Sequence, residues 1–202
     1  MSVIIHNNDI PDNLNFGHTV AVDTETMGLL PARDRLCLMQ LSSGDGVAHI
    51  VQFKDPAFHA PNLKKLLSDP KVMKIFHFAR FDVAIIKKYL GVQCAPIYCT
   101  KIASRLARTY TDKHGYANVC RELLGVEINK NCQSSDWGAS ELTSEQLSYA
   151  ANDVYYLHKI RVILDGMLER EGRADLAQRC FDFLVTRADL DLGGWPDDIF
   201  EH

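Results

Sequence analysis

Thr19-Val20-Ala21-Val22-Asp23-Thr24-Glu25-Thr26-Met27-Gly28 reads as a β-strand that carries two carboxylates to its C-terminal end. The β-branched Val20 and Val22 favour extended chain, and Met27-Gly28 stops it. Side chains alternate between faces with a period of two, so Asp23 and Glu25 share one face while Val22 and Thr24 take the other. Two carboxylates side by side on an apolar strand repel each other unless a cation lies between them. Their oxygens are hard ligands suited to Mg²⁺ or Mn²⁺.

Two further segments add acidic groups in different settings. Val72–Phe78 reads as a strand, and Ala79 onward as a helix with Phe81, Ile85, Ile86 and Tyr89 packing inward. Asp82 then falls in the first helical turn, close to the end of the preceding strand. Later in the chain, Thr143 and Gln146 form a capping box. Leu147, Ala150, Val154 and Leu157 supply the apolar face of the helix that follows. Tyr149 and Asp153, four residues apart, lie one turn apart on one side of it. A phenol hydroxyl can hold and orient water there, which a phenylalanine cannot do.

Each piece alone has a plainer explanation. Asp82 suits a helix start, where the dipole favours negative charge, Tyr149 suits a partly buried surface, and Asp153 suits a solvated helix. Their combination is the signal, because a two-metal site for phosphodiester cleavage needs several carboxylates converging from different elements.

In that order and in those settings, the segments resemble the three motifs of the DEDD superfamily of 3′-5′ exonucleases, in the subgroup with tyrosine in the last motif. Asp23 and Glu25 match the first motif, Asp82 the second, and Tyr149 with Asp153 the third. Gln133-Ser134-Ser135-Asp136-Trp137, shortly before the last motif, is similar to the ribonuclease D branch. The resemblance implies a ribonuclease H-like α/β fold with a mixed sheet, flanked by helices. It also implies two divalent metal ions, Mg²⁺ or Mn²⁺: one held by Asp23, Glu25 and Asp153, the second sharing Asp23 and positioned by Asp82. Tyr149 would orient the attacking water, and the products would be 5′-nucleotides released from a 3′ end.

The substrate that the resemblance implies is very short single-stranded RNA, chiefly dinucleotides. The alternatives are a ribonuclease D-like exonuclease working on longer RNA 3′ ends or on DNA, and a binding module on an inactive nuclease fold. Presence of all five motif residues counts against the last. Leu29 matches the position where short-RNA exonucleases of the superfamily insert a leucine between two bases, and it reads equally as a core leucine beside Leu30. Phe81 and His77 flank the second motif and are placed to stack on or hydrogen-bond to the 3′ nucleotide; His77 also reads as a core histidine. Lys101, Arg105 and Arg108 follow helical spacing, as a solvated face or a phosphate contact, for which the arginine fork is suited. The resemblance further implies homo-oligomers, including a ring of eight.

Composition agrees with a small substrate. The 202 residues are 47 % apolar and carry a formal net charge of −4, whereas proteins that grip long nucleic acids show a basic excess. That length suits one exonuclease domain over 1–202, with no appended helical RNA-binding domain expected. Neither a signal peptide nor a membrane span is visible. Six cysteines without Cys-x-x-Cys spacing read as reduced, buried residues of a cytoplasmic protein; zinc is disfavoured. The predicted elements are an antiparallel meander (Val20–Glu25, Leu36–Leu41, Val47–Phe53), a helix at Asn62–Leu67, the Val72–Phe78 strand and a short strand near Ile97. Helices are then predicted at Lys101–Arg108, Tyr116–Leu124, Ser144–Glu171 and Ala174–Leu184.

Overall fold

The computed structural model describes residues 1–128, 135–195 and 199. Gln133 and Ser134 of the ribonuclease D-like stretch, Cys132, and most of the tail after Trp195 lie outside the described residues. The central strand, β2 (Thr19–Thr26), is the one that opened the sequence reading. On one side it pairs antiparallel with β3 (Leu36–Ser42), which pairs antiparallel with β4 (Val47–Gln52). This is the predicted meander. Gly44 and Gly46 take φ values of 85° and 90° in its second turn, a backbone region that glycine enters without strain.

On its other side β2 runs parallel to β5 (Met73–Phe76), and β5 runs parallel to β6 (Ile97–Cys99). β1 (Ser2–Asn7), absent from the predicted elements, adds parallel to β4 and completes the order β1-β4-β3-β2-β5-β6. It is an exposed edge strand without clean alternation between apolar and polar residues, so periodicity gave no signal.

Helices cover both faces: α1 (Pro61–Ser68), α2 (Ala79–Leu90), α3 (Thr100–Ala107), α4 (Tyr116–Leu124), α5 (Ser144–Tyr155), α6 (Leu157–Arg170) and α7 (Ala174–Leu192). The main core gathers Val20, Val22, Met39, Leu41 and Val51 from one sheet face with Ile85 and Ile86 of α2. A smaller cluster of Cys37, Leu38, Ile50, Trp137 and Ala150 lies beneath α5.

The single helix predicted over Ser144–Glu171 is instead two. The Tyr116 hydroxyl donates to the Asn152 carbonyl at 2.6 Å, the acceptor that Tyr156 would use in an unbroken helix. The chain turns at Tyr156, leaving α5 against the sheet while α6 packs on α3. Among the described residues five cysteines are free, of which Cys37, Cys94, Cys99 and Cys120 are buried. No described helix is long and apolar enough to cross a membrane.

Candidate active site

β2 and β5 stay paired only through Ala21 and Ile75, so the last residues of β2 are free on that side. Ligands of open α/β sheets gather at such a place, where neighbouring connections leave in opposite directions. Asp23 and Glu25 project from this end of β2. Asp153 reaches them from α5, whose start is fixed by the predicted capping box. Gln146 N donates to Thr143 Oγ1 at 3.2 Å and Thr143 N donates to Gln146 Oε1 at 2.9 Å.

Single carboxylate oxygens of Asp23, Glu25 and Asp153 lie within 4.8 Å of one another, all three residues half-buried. This crowding perturbs their protonation. Burial pushes Asp23 up to about 7, and burial followed by the charges of Asp23, Asp153 and Asp82 pushes Glu25 up to about 10. Asp153 is held well above the usual carboxylate range by burial and then by Asp23 and Asp82. A cation at this point would remove the repulsion, and the donors are all oxygens of the kind hard divalent ions take.

Asp82 stands beside the three and not among them. It lies in the first turn of α2, as expected, and is buried. Its Oδ1 accepts from the Thr24 hydroxyl at 2.6 Å. Burial and the Asp23 charge raise its pKa against the opposing effect of that hydroxyl. Thr24, on the opposite face of β2 from the paired carboxylates, thus ties the second segment to the first. Alternation correctly set it apart but gave no sign of this use.

The carboxylates open into a cavity of about 530 Å³ lined also by Met27, Leu29, His77, Phe81, Tyr116, Ser135, Trp137 and Tyr149, a size typical of small-molecule sites. Leu29 is 84 % exposed, so its reading as a core leucine gives way to a place on the rim. Phe81 both lines the cavity and packs on the core.

Phe78 takes φ 72°, an uncommon conformation for a residue with a side chain. Phe78 is left half-exposed beneath the Lys101 ammonium, 4.1 Å from the ring centroid, while its neighbour His77 lines the cavity. His77 Nδ1 meets Thr100 Oγ1 at 2.8 Å, and that hydroxyl donates to Phe76 O at 3.0 Å. Burial, then the nearby Lys101 charge, lowers the His77 pKa to about 3, so the ring is neutral at ordinary pH.

Arg108 does not reach the cavity. It falls one residue past α3, leaves the helical face that its spacing suggested, and is fully buried. Its guanidinium pairs with Glu122 of α4 and donates to Ser104 Oγ at 2.9 Å and Lys113 O at 3.3 Å. The expected phosphate contact is replaced by a clamp across the α3–α4 connection. The Ser135-Asp136-Trp137 segment gains a role that the sequence left open. Gln146 Nε2 holds Asp136 O at 3.1 Å, and buried Trp137 backs the Tyr149 ring with centroids 5.9 Å apart. Tyr116, not predicted as a site residue, also lines the cavity, its ring 5.4 Å from that of His77.

A family profile described as 3′-5′ exonuclease matches residues 7–169. This chain belongs to that family. Among solved structures, this exonuclease is similar to Brucella melitensis NrnC with bound Mg²⁺, at 51 % identity and a TM-score of 0.95 over all of both chains. The same protein bound to pGG matches at 51 % identity and a TM-score of 0.95, covering 100 % of this chain and 99 % of that one. Ribonuclease D of Gluconacetobacter diazotrophicus is 38 % identical over 156 residues, which are 77 % of this chain and 39 % of that protein. The chain spans between about a third and a half of the length of the curated relatives it matches. Ribonuclease D-like exonucleases and the ribonuclease H-like fold are where it stands.

Proposed function

We propose that this exonuclease is a divalent-metal-dependent exoribonuclease that hydrolyses very short RNAs, chiefly dinucleotides, from the 3′ end to nucleoside 5′-monophosphates. The observation that carries the reading is the convergence of Asp23, Glu25 and Asp153 within 4.8 Å in the lining of a cavity sized for a small ligand. Asp23, Glu25 and Asp153 would hold one Mg²⁺ or Mn²⁺ ion, and Asp82 with Asp23 would position a second. Such ions, when bound, lower the pKa of water and offset charge on the phosphate and the leaving oxygen. The Tyr149 hydroxyl orients the attacking water in line with the bond to the 3′ oxygen. His77 and Phe81 border the 3′ nucleotide, and Leu29 on the rim inserts beside a base. The pGG bound to NrnC supports a substrate of that size.

We also propose self-association, because the edge strand β1 leaves Val3, Ile4 and Ile5 between 37 % and 48 % exposed; sedimentation velocity tests it, a ring of eight being the size that the resemblance implies. The buried free thiols suit a reducing compartment such as the cytoplasm.

The enzymatic test is hydrolysis of end-labelled RNAs of about two to seven nucleotides and of matched DNA, each with Mg²⁺, with Mn²⁺ and with chelator; cavities of this class enclose most of a small ligand. Dinucleotides are expected to turn over fastest, and only with metal. Equal or faster rates on longer strands would favour a general ribonuclease D-like trimming role. Asp153→Asn is expected to fold and to lose turnover; retained activity refutes the assignment.

A further inference from the structure

The register of β2 against β3 places Gln40 opposite Asp23 and Leu38 opposite Glu25. Directly paired residues of an antiparallel ladder stand on the same face, with Cβ atoms about 4.5–5.5 Å apart. Gln40 therefore rises from the sheet beside the acidic pair. Across β3 it is opposite Ile50 of β4, which belongs with Leu38, Trp137 and Ala150 to the apolar cluster under α5.

Gln40 is 0 % exposed, and among the described residues neither its Nε2 nor its Oε1 has a hydrogen-bond partner. Buried amides are ordinarily paired, since an unpaired one is destabilising. The other polar residues of this face of β3 and β4 obey the rule. Ser42 Oγ donates to Val47 O at 2.7 Å, and Gln52 Nε2 donates to Ala139 O at 2.9 Å. Packing alone does not account for an amide at position 40, because methionine would fill the same space beside Leu38 and Ile50 with no polar atoms to satisfy. The acceptor that the β2–β3 register sets directly beside it is the Asp23 carboxylate.

We propose that Gln40 is a positioning residue of the acidic site: its Nε2, unpaired among the described residues, turns to donate to the charged Asp23 carboxylate when a divalent cation binds, and so holds Asp23 facing Glu25 and Asp153. Partners behind the ligands orient metal-binding side chains in this way, and losing one weakens affinity by roughly 10–100-fold. The inference rests on the proposed function of the same site.

The test compares wild type with Gln40→Met in three measurements: Mn²⁺ affinity by calorimetry, thermal unfolding in chelator, and kcat and KM on a dinucleotide. Wild type must bind Mn²⁺ and cleave; if it does neither, the reading of the site fails, not this inference alone. For Gln40→Met, the expected result is unfolding in chelator at the wild-type temperature or above. Mn²⁺ affinity should fall by about tenfold or more, and kcat should fall with KM unchanged. Wild-type affinity and kcat overturn the inference. So does a lowered unfolding temperature with affinity retained, which would make Gln40 a packing residue. Should Gln40→Met fail to fold, Gln40→Asn keeps the amide one methylene short of Asp23. The same loss of affinity is expected from it, and full affinity would again overturn the proposal.

Discussion

Tyr149 and Asp153 stand one turn apart on α5, and Trp137 behind the phenol limits the positions its hydroxyl can take. Tyr149→Phe keeps the ring and this contact while removing the group that orients water. We expect kcat on a dinucleotide to fall about 10²-fold with KM unchanged; a KM effect alone would show that the hydroxyl binds substrate instead. On the rim, a methyl group at Gly28 would overlap the Asp34 carboxylate. That carboxylate is held in place by the Leu30 N–H at 2.9 Å and by Arg33 Nε at 2.6 Å. Gly28→Ala must therefore displace the Asp34 carboxylate from the Leu30 N–H or shift the short loop that presents Leu29. KM for a dinucleotide is expected to rise about tenfold or more, the order of effect that follows small misplacements of substrate-positioning groups. Steady-state kinetics that match wild type would mean that Leu29 is not held for binding.

The elements that place the site were largely legible before the fold was seen. The meander, the crossover strands, the start of α2 and the cap of α5 each carry a local signal: alternation, a helical stripe, or a Thr-x-x-Gln box. The same signals put Asp23 and Glu25 on one face, Asp82 at a helix start, and Tyr149 beside Asp153. What they could not carry was anything set by contacts distant in sequence. The break after Tyr155 depends on a hydroxyl from α4, the joining of Asp82 to β2 depends on Thr24, and β1 exists because β4 is there to pair with. Arg108 shows the reverse failure, a spacing that looked like a charged face. Helical periodicity assumes that the helix continues, and α3 ends at Ala107. Arg108→Met should accordingly act on the α3–α4 connection. A loss of about 2 kcal/mol is expected for charge-assisted bonds removed from a buried group, read as a fall of about 4–8 °C in Tm. KM for a dinucleotide at a temperature where the variant is folded should not change; a raised KM with unaltered stability would restore the phosphate contact.

For the whole molecule, the acidic cluster makes folding and metal binding parts of one equilibrium. Asp23 and Glu25 have folded pKa values raised from 3.8 to about 7 and from 4.5 to about 10, and Asp82 and Asp153 are raised as well. A raised carboxylate gives stability that is complete below its unfolded pKa and is lost as pH climbs through the folded one. Without metal, the folded protein must therefore weaken from about pH 5 upward, as charges accumulate that the unfolded chain would hold in water. His77 works at the other end of the scale. Its pKa is lowered from 6.5 to about 3, so its contribution is present above 6.5 and disappears as pH falls toward 3. Divalent ions reverse the alkaline trend, because they bind the carboxylates in the charged form, and ligand binding to the native state adds stability by mass action. Melting curves in chelator should show Tm dropping by several degrees between about pH 5 and pH 9, and the increment on adding Mg²⁺ should grow over the same interval. Asp153→Asn removes one of the crowded charges, so its chelator curve should be flatter than wild type and its Mg²⁺ increment smaller. A wild-type Tm in chelator that is level across that range, with a Mg²⁺ increment independent of pH, would mean that the carboxylates do not share one low-dielectric pocket, and the metal-binding role assigned to them would fall with it.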